Sequence, residues 1–213
     1  MCFNYALFSY KAAIEQRYGS FIDFDYRLND RINGFEYPEA PVVVINNSKK
    51  VITAMNWGLI PHWVKSTTQA ENIRKYNLNC RSETIFEKPS FKDPIIRKRA
   101  IIPANGFYEW QHIGKQKIMH FVGLKDINIF SFAAIYDIRI DTIAGETIKT
   151  FSIITKQADG FMSEIHNTKM RMPLILMPDE EDIWLDDIPQ TTIIDLLRKG
   201  RDYKWQLKDN PVF

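Results

Sequence analysis

The stretch PVVVINNSKKVITAMNW, residues 41–57, decides the fold. Pro41 to Ile45 is β-branched and too short for a helix, so it predicts a buried strand. The Asn46-Asn47-Ser48 cluster predicts a turn, and Val51 to Trp57 the returning strand of a hairpin. Working outward, Phe3 to Phe8 is aromatic and apolar enough for a strand that would carry the residue before it into the interior. Downstream, Ala100 to Pro103, Gly106 to Trp110, Ile118 to Leu124, Ile129 to Tyr136 and Thr150 to Thr155 all have strand composition, with hairpin signals between the later ones. Ala12 to Tyr18 reads as a short helix, and residues 179–185 and 190–199 as two more, the last stopped at Gly200 with Arg198 and Lys199 in its final turn. Polar turn material is expected around Asn29-Asp30 and Asn33-Gly34. Gly58 and Pro61 should force WGLIPHW, residues 57–63, into a loop displaying two indoles. With no internal repeat, low-complexity stretch or linker, the expectation is one α+β domain over residues 1–213. Its sheet would be mostly antiparallel, curled or barrel-like, with peripheral helices.

Composition narrows the classes. The chain has 213 residues, 45% of them hydrophobic and 13% aromatic, which favours a packed core over disorder. A net charge of +2 identifies no partner, so any nucleic-acid surface must come from local clustering. Two cysteines, Cys2 and Cys80, do not make a disulfide scaffold, and four histidines without CxxC or HExxH predict no metal site. No run approaches the length of a membrane span, and the N-terminus lacks the basic and apolar regions of a signal peptide. A soluble cytoplasmic protein without a cofactor is expected.

The chemistry begins at Cys2. Initiator methionine is readily removed before a small residue, which would leave an α-amine and a thiol on adjacent carbons. Their ordinary pKa values, near ~8 and ~8.5, allow a modest shift to activate either at neutral pH. Such a 1,2-aminothiol condenses with an aldehyde to a Schiff base, and the thiol then closes a thiazolidine. Glu109 is set among the aromatics of GFYEW; buried, its pKa would rise toward acid–base usefulness. His166 lies on a polar loop before a basic segment, where an imidazole could shuttle protons. Asn79, Arg81 and Glu83 alternate and would share one face of a strand. The cations Arg81, Lys169 and Arg171, with Trp57, His62 and Trp63, supply phosphate contacts and stacking surfaces for a single strand. Taken alone, each has a plainer reading: Cys2 as a small buried hydrophobe, Glu109 as a solvent-facing strand residue, His166 as a surface imidazole.

Together the motifs are more specific. Cys2, WGLIPHW, NCRSET, PANGFYEW and IHNTKMRMPLIL occur in this order across residues 2 to 176. That order resembles the SOS response-associated peptidase (SRAP) family, the abasic-site processing proteins. The resemblance implies a sensor of abasic sites in single-stranded DNA whose N-terminal Cys2 traps the exposed aldehyde as a thiazolidine DNA–protein crosslink; a monomer is expected. It further implies that Asn79 orients the sugar and the cysteine amine. Glu109 would move protons during ring opening and Schiff-base formation, and His166 would assist proton transfer at the imine and reversal of the link. Arg81 and Arg171 would hold phosphates, and Trp63 would lie against a base. Removal of its own Met1 and a β-elimination lyase activity are also implied.

Two features depart from the family pattern. Phe3-Asn4 follow the cysteine where the family often has Gly-Arg, whose arginine helps bind phosphate. Asn4 is therefore a DNA-contact position whose charge is missing or supplied from elsewhere. His166 precedes Pro173 by seven residues rather than about four, which predicts a longer loop in which Lys169 shares the work of Arg171. Two other classes begin from the same residues. An N-terminal-nucleophile cysteine amidohydrolase would use Cys2 on an amide, and a noncovalent single-strand-binding module would not use it at all.

Overall fold

The computed structural model describes residues 2–141 and 145–209. Thirteen strands and six helices occur among them. In chain order the strands are β1 (Asn4–Leu7), β2 (Asn29–Asn33), β3 (Glu39–Asn46), β4 (Lys49–Trp57), β5 (Asn79–Arg81), β6 (Arg99–Ala104), β7 (Gly106–Ile113), β8 (Gln116–Leu124), β9 (Phe130–Ile140), β10 (Thr147–Gln157), β11 (Arg171–Pro173), β12 (Ile175–Leu176) and β13 (Trp205–Lys208). The helices are α1 (Lys11–Tyr18), α2 (Thr67–Arg74), α3 (Pro94–Arg97), α4 (Gly160–Ile165), α5 (Pro178–Leu185) and α6 (Gln190–Arg198).

The hairpin of residues 41–57 is present and is the wall of a barrel. β3 and β4 pair antiparallel from Glu39↔Asn56 to Asn46↔Lys49. Asn47 and Ser48 both take positive φ, 49° and 58°, the primed turn that matches the right-handed twist of the flanking strands. β3 pairs with β6, β6 with β9, β9 with β10, and β10 with β4 in parallel, which closes a five-strand circuit. Closure leaves no open edge on that circuit. β5, β11 and β12 attach to its rim through β10 and β9.

A second, antiparallel sheet runs β13-β8-β7-β1-β2. Its inner face packs on the barrel: Tyr5 and Phe107 each place their rings 5.9 Å from Phe132 of β9. The fold is thus α+β and mostly antiparallel, as expected. Within the second sheet, Gly106 of β7 leaves room for the Phe121 ring of the neighbouring β8, since a Cβ there would lie 2.2 Å from Phe121 Cζ.

Several local expectations fail for identifiable reasons. Residues 29–33 are a strand rather than a turn. β2 is the sheet's edge and buries only Ile32 fully, so its sequence lacks an apolar run. β13 is likewise a mostly exposed edge. Trp57 is not displayed. It is fully buried, stacked on Phe151 at 6.0 Å, and its indole Nε1 donates to Leu78 O at 2.7 Å. Only Trp63 of that loop shows its ring, at 40% exposure. The loop turns at Gly58, whose φ of +106° excludes a side chain. His62 anchors it, donating its backbone N–H to the buried Asp137 carboxylate at 2.8 Å.

Candidate functional site

The site is assembled where the second sheet meets the rim of the barrel. Cys2 leads directly into β1, which is held between β2 and β7, and its side chain is fully buried. The backbone of Phe3 is fixed by Gly34, whose N–H donates to Phe3 O at 2.9 Å. From the barrel side, Asn79 at the start of β5 donates its Nδ2 to Cys2 O at 2.9 Å. β5 itself is held by parallel pairing with β10, Ile153↔Asn79 to Thr155↔Arg81. One residue of the barrel rim therefore grips the backbone of the chain's second residue.

Glu109 enters from β7, the strand beside β1. Its neighbours Phe107 and Tyr108 fill cores on the two faces, and Glu109 itself is buried at 3% exposure. Burial raises its pKa to about 7, because the carboxylate loses hydration that the protein does not fully replace. His166 comes from the opposite direction, at the C-terminal end of α4. The following loop is clipped onto β7: Asn167 accepts from His112 N at 3.1 Å and donates back to His112 O at 2.8 Å. Gln111 adds a bond to Glu164 O at 3.0 Å. Met170, at φ 48°, turns the chain into β11. This clasp accommodates the seven-residue spacing from His166 to Pro173.

The clasp brings His166 Nδ1 to 3.5 Å from Glu109 Oε2 and 2.8 Å from Arg171 O. A carbonyl can only accept, so Nδ1 carries the proton and the neutral ring keeps its lone pair on Nε2. Burial lowers the histidine pKa to about 4. Between these two values the pair holds its protons as an acid beside a neutral base, arranged by burial rather than by attraction. The Cys2 thiol is pushed well up, first by burial and then by the Glu109 charge, so it rests protonated.

A cavity of about 270 Å³ opens beside the pair, lined by Phe3 and Asn4 after Cys2, by Glu109 and Trp110 of β7, and by His166 and Lys169 among others. Cys2, Asn79, Glu109 and His166 are thus brought together, with Asn4 and Lys169 at the same cavity. The other expected contacts are placed differently. Arg81 is exposed at the end of β5, and Trp63 lies on the loop held by Asp137; neither lines this cavity. Arg171 is buried: its guanidinium forms a bidentate pair with Glu83 at 2.7 and 2.9 Å and also donates to Thr155 O at 2.6 Å. Glu83 lies beyond β5, so the alternating face proposed for Asn79, Arg81 and Glu83 stops at Arg81. Reading the sequence missed Phe35, Lys117 and His112, which also line the cavity, because they come from β2–β3 and β7–β8 segments with no local signature. No group of three metal-ligating side chains occurs among the described residues. No helix among them is long and apolar enough to cross a membrane.

An abasic site processing protein of Bacillus subtilis, YoqW, is 37% identical over 93% of this chain and 85% of its own length. The abasic site processing protein HMCES of Gallus gallus is 33% identical over 74% of this chain and 52% of its own. A crystal structure of a protein from Bacteroides thetaiotaomicron superimposes with a TM-score of 0.89 at 38% identity, covering 98% of this chain and 93% of that one. The family model described as SOS response associated peptidase (SRAP) matches residues 1–210, and the chain belongs to that family.

Proposed function

We propose that this chain captures abasic sites in single-stranded DNA as a covalent link through Cys2. The observation that carries the reading is the convergence, beside a cavity next to Cys2, of a Glu109 that holds a proton near neutrality and a neutral His166. The names of its similar relatives, abasic site processing proteins, support the same reading.

The chemistry follows from the protonation states. Removal of Met1, by the chain itself, frees the Cys2 amine. The amine attacks C1′ of the ring-opened sugar, and the carbinolamine must lose its hydroxyl as water. Protonated Glu109 supplies that proton and becomes a carboxylate. The Cys2 thiol, protonated at rest, then returns a proton to the Glu109 carboxylate as sulfur adds to the iminium carbon, which leaves the ring nitrogen as a neutral N–H. Atoms balance with loss of one water. His166 Nε2 serves as the second proton carrier at the imine, and Asn79 fixes the Cys2 backbone so that amine and thiol meet the same carbon. The same imine could lose its β-phosphate, which gives a lyase side reaction.

The test is intact mass of the protein before and after incubation with a single-stranded oligonucleotide carrying one abasic site. The expected product is protein lacking Met1 plus DNA less one water, absent from Cys2→Ala. A mature protein that stays unmodified overturns covalent capture, and glutamine-amide hydrolysis becomes the assay for the amidohydrolase reading.

A further inference from the structure

Two cations that no ion pair uses line the cavity, Lys117 and Lys169, and a third, Arg31, is bonded to its lining residue Asn4. Arg31 of β2, Lys117 of β8 and Lys169 of the loop after α4 are exposed, and none pairs with a carboxylate among the described residues. Arg31 is nonetheless held in place. Its Nε donates to Asn4 Oδ1 at 3.2 Å, and its guanidinium carbon lies 5.8 Å from the Tyr108 ring and 5.9 Å from the Trp110 ring. Tyr108 in turn donates its hydroxyl to Asp30 O at 2.8 Å, which ties β2 to this face. Lys117 Nζ sits 5.2 Å from the Trp110 ring, so the indole has both cations within 6 Å. Asn4, Trp110, Lys117 and Lys169 all line the cavity.

Fixing Arg31 through Nε leaves both terminal nitrogens without a protein acceptor among the described residues. A planar guanidinium with one edge anchored and its fork open is the form that takes an anionic oxygen pair, and a phosphate is the anion it suits. Arg171, by contrast, has its fork filled by Glu83 and Thr155. We propose that Arg31 binds the DNA phosphate next to the captured sugar, with Asn4 as its positioning residue and Lys117 as the second cation. Cys2 and Asn4 are two residues of extended chain apart, about 7 Å. A nucleotide bonded at Cys2 therefore brings a flanking phosphate toward Arg31. The charge absent from position 4 is supplied from β2, with the asparagine holding the arginine that replaces it.

This inference rests on the abasic-site reading, and the experiment separates the two. Crosslinking is measured under single turnover against oligonucleotide concentration for wild type, Arg31→Ala and Arg31→Lys. The strands carry an uncharged methylphosphonate at each flanking position in turn. Arg31→Ala should raise the half-saturating concentration about tenfold, as expected for losing a charge-assisted contact. It should leave the limiting rate within about twofold and reduce the salt slope by about 0.7. Arg31→Lys should recover part of the loss, and the Arg31→Ala penalty should vanish on the single strand whose methylphosphonate removes the partner charge. An unchanged half-saturation and salt slope, or an equal penalty on every methylphosphonate strand, overturns the assignment. Equilibrium binding to strands with a reduced, aldehyde-free abasic sugar is run beside it. If wild type forms no crosslink, the capture reading fails while this binding series still decides the role of Arg31.

Discussion

Glu109→Gln tests the central electrostatic claim without relying on activity. Burial lifts the folded-state pKa of Glu109 from its ordinary 4.5 to about 7. Between these values the folded chain holds a proton that the unfolded chain has released, so wild-type stability falls as pH rises through the window. At about 1.4 kcal/mol per unit, the charged side chain costs about 3 kcal/mol above pH 7, with no discount for exposure at a side chain this buried. Glutamine is neutral throughout and adds only a pH-independent offset from its own packing. The difference in unfolding free energy between Glu109→Gln and wild type should therefore shift by about 3 kcal/mol in favour of the variant between pH 4.5 and pH 8. Urea titrations at half-unit pH intervals would read it. His166 pulls the other way: its folded pKa of about 4 makes stability rise with pH from 4 to its ordinary 6.5. The wild-type profile should be nearly flat where the two overlap, and the variant should expose the rising histidine limb. A difference that stays constant with pH, or that favours wild type as pH rises, would refute a desolvated, proton-holding Glu109.

Two further substitutions separate support from contact. Arg171→Ala removes a buried cation from Glu83 and Thr155 and should lower stability by about 2 kcal/mol while leaving the salt slope of DNA binding unchanged; a reduced slope with intact stability would restore Arg171 as a phosphate ligand. Asn105→Ala, in the PANGFYEW motif, removes the acceptor for Phe8 N and Ser9 N and the donor to Asn128 O. Chemical unfolding should show a loss of about 3 kcal/mol, and a loss under about 1 would mean these bonds exchange freely with water.

The motifs carried different kinds of information. In WGLIPHW the glycine and histidine shape and anchor a loop, while Trp57 belongs to the barrel core rather than to any ligand. In PANGFYEW, Asn105 ties the segment after β1 to the start of β7 and Gly106 admits Phe121, so most of that motif supports Glu109 rather than reacting. IHNTKMRMP delivers His166 through the Asn167 clasp and then spends Arg171 on the structure. Residue type alone does not divide reactive groups from their supports, because both need the same polar atoms.

The sequence by itself determined the strand hairpin of residues 41–57, most of the buried strands and the helices at the C-terminal end, and it singled out Cys2, Asn79, Glu109 and His166 as candidates. These are local or compositional properties: β-branched runs, turn residues, and a cysteine whose position alone confers its chemistry. It did not determine β2 or β13, because edge strands expose both ladder and side chains and need no apolar pattern. Nor could it show that Arg31 meets Asn4 or that Arg171 is buried, since each depends on which strands lie side by side. Burial, and with it the opposed pKa shifts of Glu109 and His166, came only from tertiary structure, because desolvation is set by atoms contributed from the whole chain.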